Sequence, residues 1–212
     1  MRIKWLGHSC FLLTAENGMR ILADPFNDEV GYRLPAEEAD IVTTSHNHFD
    51  HNNISIVKGE FTHINQTGRF FEKGIIIEGI PTFHDTDRGA KRGKNTIFKY
   101  SIDDITVCHC GDLGHVLTPE QVKDIGEIDI LLVPVGGTFT INAEGACEVV
   151  RQLRPLVTIP MHYKTDAMNF KIDSVDKFIK VSGGGEWTGI HEVEISSDSL
   201  SSLPGIIVMD YK

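Results

Sequence analysis

The 212 residues are 41% hydrophobic, enough to bury a substantial core, and a single domain over residues 1–212 is expected. Thirty acidic against twenty basic residues give a formal charge of -10, and repulsion of that sign argues against a general binder of nucleic acid or anionic membranes. No apolar run approaches the roughly 20 residues that span a bilayer, and the four cysteines show no regular disulfide-type spacing, so a reducing cytoplasm is expected.

At the N-terminus MRIKWLGHSCFLL places two cations before an apolar run. His8 and Ser9 interrupt that run and no small-residue cleavage site follows, so the segment reads as a strand. SCFLLTAENGMRILADPF then reads as two strands joined at Asn17-Gly18, a pair that readily takes the positive φ of a tight hairpin, and the second strand ends at Asp24-Pro25. ADIVTTSH is a buried β-branched strand leading into a dense histidine cluster, and HFDHNNISIV behind it suits the start of a helix. Further strands are expected at THINQT, GIIIEGI, NTIFKYSI and DITVCHCGD.

The period then changes. Thr118-Pro119-Glu120-Gln121 combines an N-cap, a proline at the first helical position and a glutamine three residues after the cap, so LTPEQVKDIG starts a short helix. DILLVPVGG is a buried strand, Asn142 caps a helix that Pro155 stops, LVTIPMHY is a strand ending at His162, and SVDKFIKVSG is the last helix. Strands alternating with helices after early hairpins indicate an α/β sandwich.

The stretch SHNHFDHNN carries three histidines and a carboxylate. An extended chain at His46 puts His48 on the same side, and a turn brings Asp50 and His51 into the same space. Imidazole and carboxylate suit Zn, Mn, Fe or Ni. The competing reading is a solvated, helix-capping loop. His84, Asp112 and His162 each lie just beyond an apolar, strand-like run, the same kind of position as the cluster, and together these residues supply a set of metal ligands.

In this order, HxHxDH at His46 to His51, a later His84, Gly111-Asp112 and a final His162, with Asp24 before them, the chain resembles the metallo-β-lactamase superfamily. GHSCFLL, RGKNTIF, GDLGH and PMHY are similar to the group that includes ascorbate-6-phosphate lactonase and other metal-dependent hydrolases. The resemblance implies a four-layer αββα sandwich with the site along one edge of two facing sheets. It also implies two divalent ions, zinc first, with Mn, Fe or Ni as alternatives. His46, His48 and His84 would hold one ion, Asp50, His51 and His162 the other, and Asp112 would bridge them. Such ions lower the pKa of bound water toward roughly 7 and polarise the electrophile, so the implied catalytic residues are Asp50 and Asp112, around a metal-bridging hydroxide.

Asp24 is expected to hydrogen-bond a ligand histidine, although an Asp-Pro pair also suits a turn. His8 reads either as a substrate contact from the first strand or as a structural histidine. Arg88, Lys91, Arg92 and Lys94 follow His84 closely and could bind a phosphate or carboxylate, with Asn95 as a neutral donor; Asp85 and Asp87 make a solvated loop of mixed charge the alternative. The Gly136-Gly137 pair reads as a turn. Cys108-His109-Cys110 lacks a matching distal pair and reads as structural, while His115 either approaches the site or stabilises its loop.

The expected function is hydrolysis of a small anionic ester, lactone or phosphodiester, a lactone of a phosphorylated sugar acid being the candidate from resemblance. Asp112 stands where many zinc β-lactamases have cysteine, and HFDH differs from the pattern of diiron flavoproteins, which disfavours antibiotic hydrolysis and electron transfer. A small substrate, no large nucleic acid, no membrane and an undetermined homo-oligomeric state complete the expectations. The alternative from another class is a non-catalytic metal-binding sensor or structural protein.

Overall fold

The computed structural model describes residues 1–211. In chain order the strands are β1 (Arg2–Gly7), β2 (Cys10–Thr14), β3 (Arg20–Ala23), β4 (Ile41–Thr43), β5 (Thr62–Ile64), β6 (Gly68–Glu72), β7 (Ile75–Phe83), β8 (Lys94–Ile102) and β9 (Ile105–His109). Helix α1 (Pro119–Ile125), β10 (Ile130–Pro134), α2 (Ala143–Leu153), β11 (Val157–Met161) and α3 (Val175–Ser182) follow, before β12 (Glu186–Trp187), β13 (Glu192–Glu194) and β14 (Ile207–Val208). One six-stranded mixed sheet has the order β13-β1-β2-β3-β4-β5 and the other β11-β10-β9-β8-β7-β6; β12 and β14 form a small ribbon.

The first sheet is apolar on both faces. Phe11 and Leu13 of β2, Ile3 and Trp5 of β1 and Ile21 of β3 point into the core shared with the second sheet, where Thr43 Oγ1 meets the Tyr100 hydroxyl at 2.7 Å. Their neighbours Cys10, Leu12, Leu22 and Val42 point the other way, against Phe26, Val30, Tyr32, Leu34 and Met168. Alternation of period two thus feeds two cores, and the outer cover of this sheet is the irregular chain around a 3-10 turn at Asp28–Val30 together with the segment near Met168. Helices α2 and α3 pack on each other, and α2 on β10. Facing mixed sheets with flanking helices are the expected sandwich.

Local signals act where they stand. Asn17-Gly18 turns the β2–β3 hairpin with Gly18 at φ +87°. Thr118 caps α1 through Gln121, whose side chain reaches back to the Thr118 N–H, a reciprocal pair that contributes about 1 kcal/mol. Asn142 accepts from Gly145 N at the start of α2. The expectation of a helix over HFDHNNISIV is corrected: the chain there makes a turn, with His51 N donating to His48 O at 3.0 Å, and then a single 3-10 turn at Ile54–Ile56. Asn53 donates its backbone N–H to Pro25 O, outside any helical ladder, so the polar cluster stays a loop clamped to the neighbouring strand end.

Strands β1, β3 and β4 run parallel to one another, as do β7, β9, β10 and β11, so their C-terminal ends gather along one edge. There the chain bends abruptly. His8, Asp24 and His162 take positive φ of 53°, 47° and 51°, a conformation few side chains adopt without compensation. His162 N donates to His8 O at 3.1 Å, tying the two sheets together at the site.

Candidate metal centre

His46 follows β4, His84 follows β7, Asp112 follows β9 and His162 follows β11, each in the first residues after its strand. The structure brings them together with His48, Asp50 and His51. His46, His48 and His84 form one group of converging donor atoms, and His8, Asp50, His51 and His162 another, every pair within a group lying within 4.8 Å. Asp112 stands between them. Its Oδ2 lies 3.1 Å from His84 Nε2 and 3.9 Å from His46 Nε2, while its Oδ1 lies 3.1 Å from His51 Nε2 and 3.4 Å from His162 Nε2.

The tautomers follow from the partners. Asp24 is buried and accepts from Ser45 N at 2.7 Å, from Ser45 Oγ at 2.6 Å and from His51 Nδ1 at 2.8 Å. With its own proton given to Asp24, Ser45 Oγ accepts from His46 Nδ1 at 3.0 Å. His46 and His51 therefore both carry a proton on Nδ1 and present Nε2 to the site, His46 Nε2 lying 3.0 Å from His48 Nδ1 and His51 Nε2 lying 3.1 Å from Asp112 Oδ1. One carboxylate orients a histidine in each half, the support that ligating histidines require.

His51 Nε2, His162 Nε2 and Asp112 Oδ1 are buried and lack a hydrogen-bond partner, although they lie within 3.4 Å of one another through Asp112. Buried polar atoms are normally paired. Three bare donors aimed at one point fit a cation, and the all-nitrogen and oxygen set matches zinc, manganese, iron or nickel.

Ligation needs neutral imidazole and ionised carboxylate, and every shift at the site except that of His51 agrees with it. Burial, with the His51 imidazole adding to it, pushes His46 down to about 3. Burial also lowers His48, and burial and His162 lower His8 to about 4. For Asp112 and Asp50 burial works upward, but the surrounding imidazoles win and hold both carboxyls below the usual range. His51 shows the opposite balance. Burial pushes it down, yet the Asp112 and Asp24 carboxylates flank it on both sides and raise it well above the ordinary histidine value.

The remaining sequence candidates divide. His8 is wholly buried, with Nε2 at 3.3 Å from Asp50 Oδ2 and its ring 4.3 Å from that of His162, so it backs the second half of the site. Asn95, expected to offer a donor to substrate, is instead consumed by the fold: its amide donates to Thr82 Oγ1 and Cys110 O and accepts from Asp112 N at 2.9 Å. It sets the Gly111-Asp112 turn. Arg92 and Lys94 line the cleft beside His46 and His48, whereas Arg88 is exposed on the loop and lines neither cleft at the site. Asp85 accepts four backbone N–H groups, from Asp87, Gly89, Lys91 and Arg92, and so fixes the cationic loop that follows His84.

Cys108 and Cys110 are buried free thiols, and His109 between them uses both nitrogens on backbone: Nδ1 accepts from Gly111 N and Nε2 meets Ser9 O at 2.7 Å. His115 likewise accepts from Phe83 N and stabilises the loop. The sequence reading missed Ser45, whose relay role depends on Asp24 lying beside it, and three phenylalanines, Phe49, Phe139 and Phe170, that wall the opening above Asp50, His84 and Asp112.

Two facing mixed sheets, flanking helices and a histidine-carboxylate cluster at the strand ends are the architecture of a metallo-β-lactamase fold. A family model described as the beta-lactamase superfamily domain matches residues 2–162, a span that includes every residue of both donor groups. A UPF0173 metal-dependent hydrolase of Methanoculleus marisnigri is 32% identical over 188 residues, covering 78% of this chain and 82% of that one. The crystal structure of a candidate zinc-dependent hydrolase of the metallo-β-lactamase superfamily from Thermotoga maritima matches with a TM-score of 0.82 at 43% identity, over 98% of this chain and 97% of that one. A metallo hydrolase from Ignicoccus hospitalis shares the fold at 20% identity, with a TM-score of 0.64 over 99% of this chain and 94% of that one. The chain belongs to the metallo-β-lactamase superfamily and, within it, to the UPF0173 family of metal-dependent hydrolases.

Proposed function

We propose that this protein is a dinuclear metal hydrolase acting on a small anionic ester, lactone or phosphodiester. The observation that carries the reading is Asp112, whose two oxygens each face a different group of converging histidines. His46 Nε2, His48 and His84 Nε2 would hold one ion; Asp50, His51 Nε2 and His162 Nε2 would hold the other. Bound divalent ions supply a water-derived nucleophile at neutral pH and polarise the electrophilic oxygen. Zinc is the first ion to test, with manganese, iron and nickel after it.

The chain's own residues do the rest. Asp24 and Ser45 lock the two ligand histidines, so that little reorganisation is needed when substrate arrives. Asp50, with His8 behind it at 3.3 Å, is the carboxylate placed to orient the attacking water. Arg92 and Lys94 place positive charge beside His46 and His48, where an anionic group of the substrate would rest despite the acidic surface elsewhere. Among the described residues no helix is long and apolar enough to cross a membrane, and a small molecule, not a large nucleic acid, is the proposed partner.

The narrower candidate, a lactone of a phosphorylated sugar acid, rests on the resemblance of GHSCFLL, RGKNTIF, GDLGH and PMHY alone. Protein reconstituted with zinc or manganese is expected to hydrolyse members of a panel of lactones, carboxylic esters and phosphodiesters, and His48→Ala to abolish that turnover. A fully metal-loaded protein inert toward the whole panel would overturn the hydrolase reading in favour of a non-catalytic metal site.

A further inference from the structure

Resting on that reading, we infer that the substrate is two-sided: a small ester or lactone with an apolar alkyl or aryl group on one side of the scissile bond and a polar or anionic group on the other. The apolar side is marked by three phenylalanines from distant segments. Phe49 lies inside the ligand cluster itself, Phe139 follows β10, and Phe170 lies between β11 and α3. Phe170 meets Phe49 edge-on at 6.3 Å and Phe139 edge-on at 5.8 Å, so the rings form a continuous wall. They enclose a cleft of about 280 Å³ whose floor is Asp50, His84 and Asp112.

Phe49 remains 50% exposed although both of its chain neighbours converge on the metal centre. Phe139 and Phe170 rest partly on the core, but the ring surface they and Phe49 leave open at this polar centre gains stability only when something apolar lies on it. A polyol would find no hydrogen-bond partner on these ring faces and edges, and its hydroxyls would lose water without compensation.

The other side is different. A second cleft of about 550 Å³ is lined by Asn65, Gln66, Thr67 and Lys94, and the two clefts share His48 and Arg92. The Arg92 guanidinium stacks 4.7 Å over the Phe139 ring, which fixes it at the border between the apolar and polar halves. A substrate bridging both clefts therefore lays its middle between His48 and Arg92, beside Asp50, His84 and Asp112, where the scissile bond would sit. Hydrolysis there is balanced: water adds to the acyl carbon, the acyl C–O bond breaks, the alkoxide oxygen leaves as an alcohol with one of water's protons, and the new carboxylic acid gives the other to solvent.

The test uses straight-chain carboxylates from acetate to hexanoate as product mimics, titrated calorimetrically into the zinc-loaded protein, alongside hydrolysis of γ-lactones with ring alkyl groups of matching length. Affinity is expected to rise about two- to fourfold per methylene, with kcat/KM following; Phe49→Ser, at an exposed position, should at least halve the logarithmic slope and Phe49→Leu should retain it. An affinity independent of chain length, or a slope that Phe49→Ser leaves unchanged, would overturn the inference. Chain-length-dependent binding that responds to Phe49→Ser, in a metal-loaded protein inert toward every lactone, ester and phosphodiester of the panel, keeps the two-sided binding cleft and refutes the hydrolase reading. Turnover of a phosphorylated sugar lactone with flat carboxylate binding does the reverse.

Discussion

His51 Nδ1 and Asp24 Oδ2 lie 2.8 Å apart in a fully buried contact, and the same carboxylate oxygen accepts from Ser45 Oγ, which in turn meets His46 Nδ1. A single residue at a left-handed turn after β3 thus orients one histidine from each half of the metal centre. Its influence reaches both donor groups, directly through His51 and by way of Ser45 through His46.

Replacing Asp24 by asparagine keeps the volume but turns an amide N–H toward at least one of three donors. Affinity for zinc is expected to fall about 10- to 100-fold, as for other partners of ligating histidines. A competitive chelator titration measures it, and an unchanged affinity would remove Asp24 from the account.

Asn95→Ala should disturb the centre through the backbone. It leaves the buried Asp112 N–H and Cys110 O without their side-chain partner, a loss of about 1–3 kcal/mol. The denaturant midpoint and the metal content should fall together. A variant that loses stability but retains full metal affinity would show that Asn95 does not position Asp112.

A third prediction concerns close approach. A Cβ on Gly114 would lie 2.2 Å from both Asp85 N and the His84 carbonyl carbon, so Gly114→Ala must push the backbone that carries His84. Loss of metal from the His46, His48 and His84 group is expected, read from the cobalt absorption spectrum, with the other group retained. A spectrum identical to that of the unaltered protein would contradict the packing described.

How much of this was legible in the sequence depends on whether the signal is local. Asn17-Gly18, the Thr118 capping box and Asn142 act on their own neighbours, and each lies where its chemistry predicts. Strand β13 gains its identity only by pairing with β1 at the opposite end of the chain, and β6 is a half-exposed edge strand folded back through Lys73-Gly74, so neither carries an apolar run of its own. At the site, histidines and carboxylates after apolar strands announce themselves by type. Asn95 does not, because Thr82, Cys110 and Asp112 surround it only after β7, β8 and β9 have paired. Nothing in the sequence around Phe139 or Phe170 marks either ring, and only the cleft shows that they face the site.

One part of the stability at alkaline pH comes from Tyr32, whose ring covers Gly7 and whose hydroxyl meets Thr165 at 2.7 Å. Burial pushes its phenol up to about 12, from 10.0. The folded state then holds its proton more tightly than the unfolded state. Its contribution, on the order of 2 kcal/mol, is complete below about pH 10 and is lost as pH rises through about 12. Tyr32→Phe keeps the ring and removes the ionisation, so between pH 9 and about 11.5 its urea midpoint should fall less than that of the unaltered protein. Parallel decline of the two would contradict this.

The central claim is that Asp112 joins two separate donor groups. Elemental analysis of zinc-reconstituted protein tests it most directly: about two ions per chain are expected for the unaltered protein, about one for His48→Ala and for His162→Ala, and fewer still for Asp112→Ala. Near-zero zinc in the unaltered protein, or a full complement in all three variants, would contradict it.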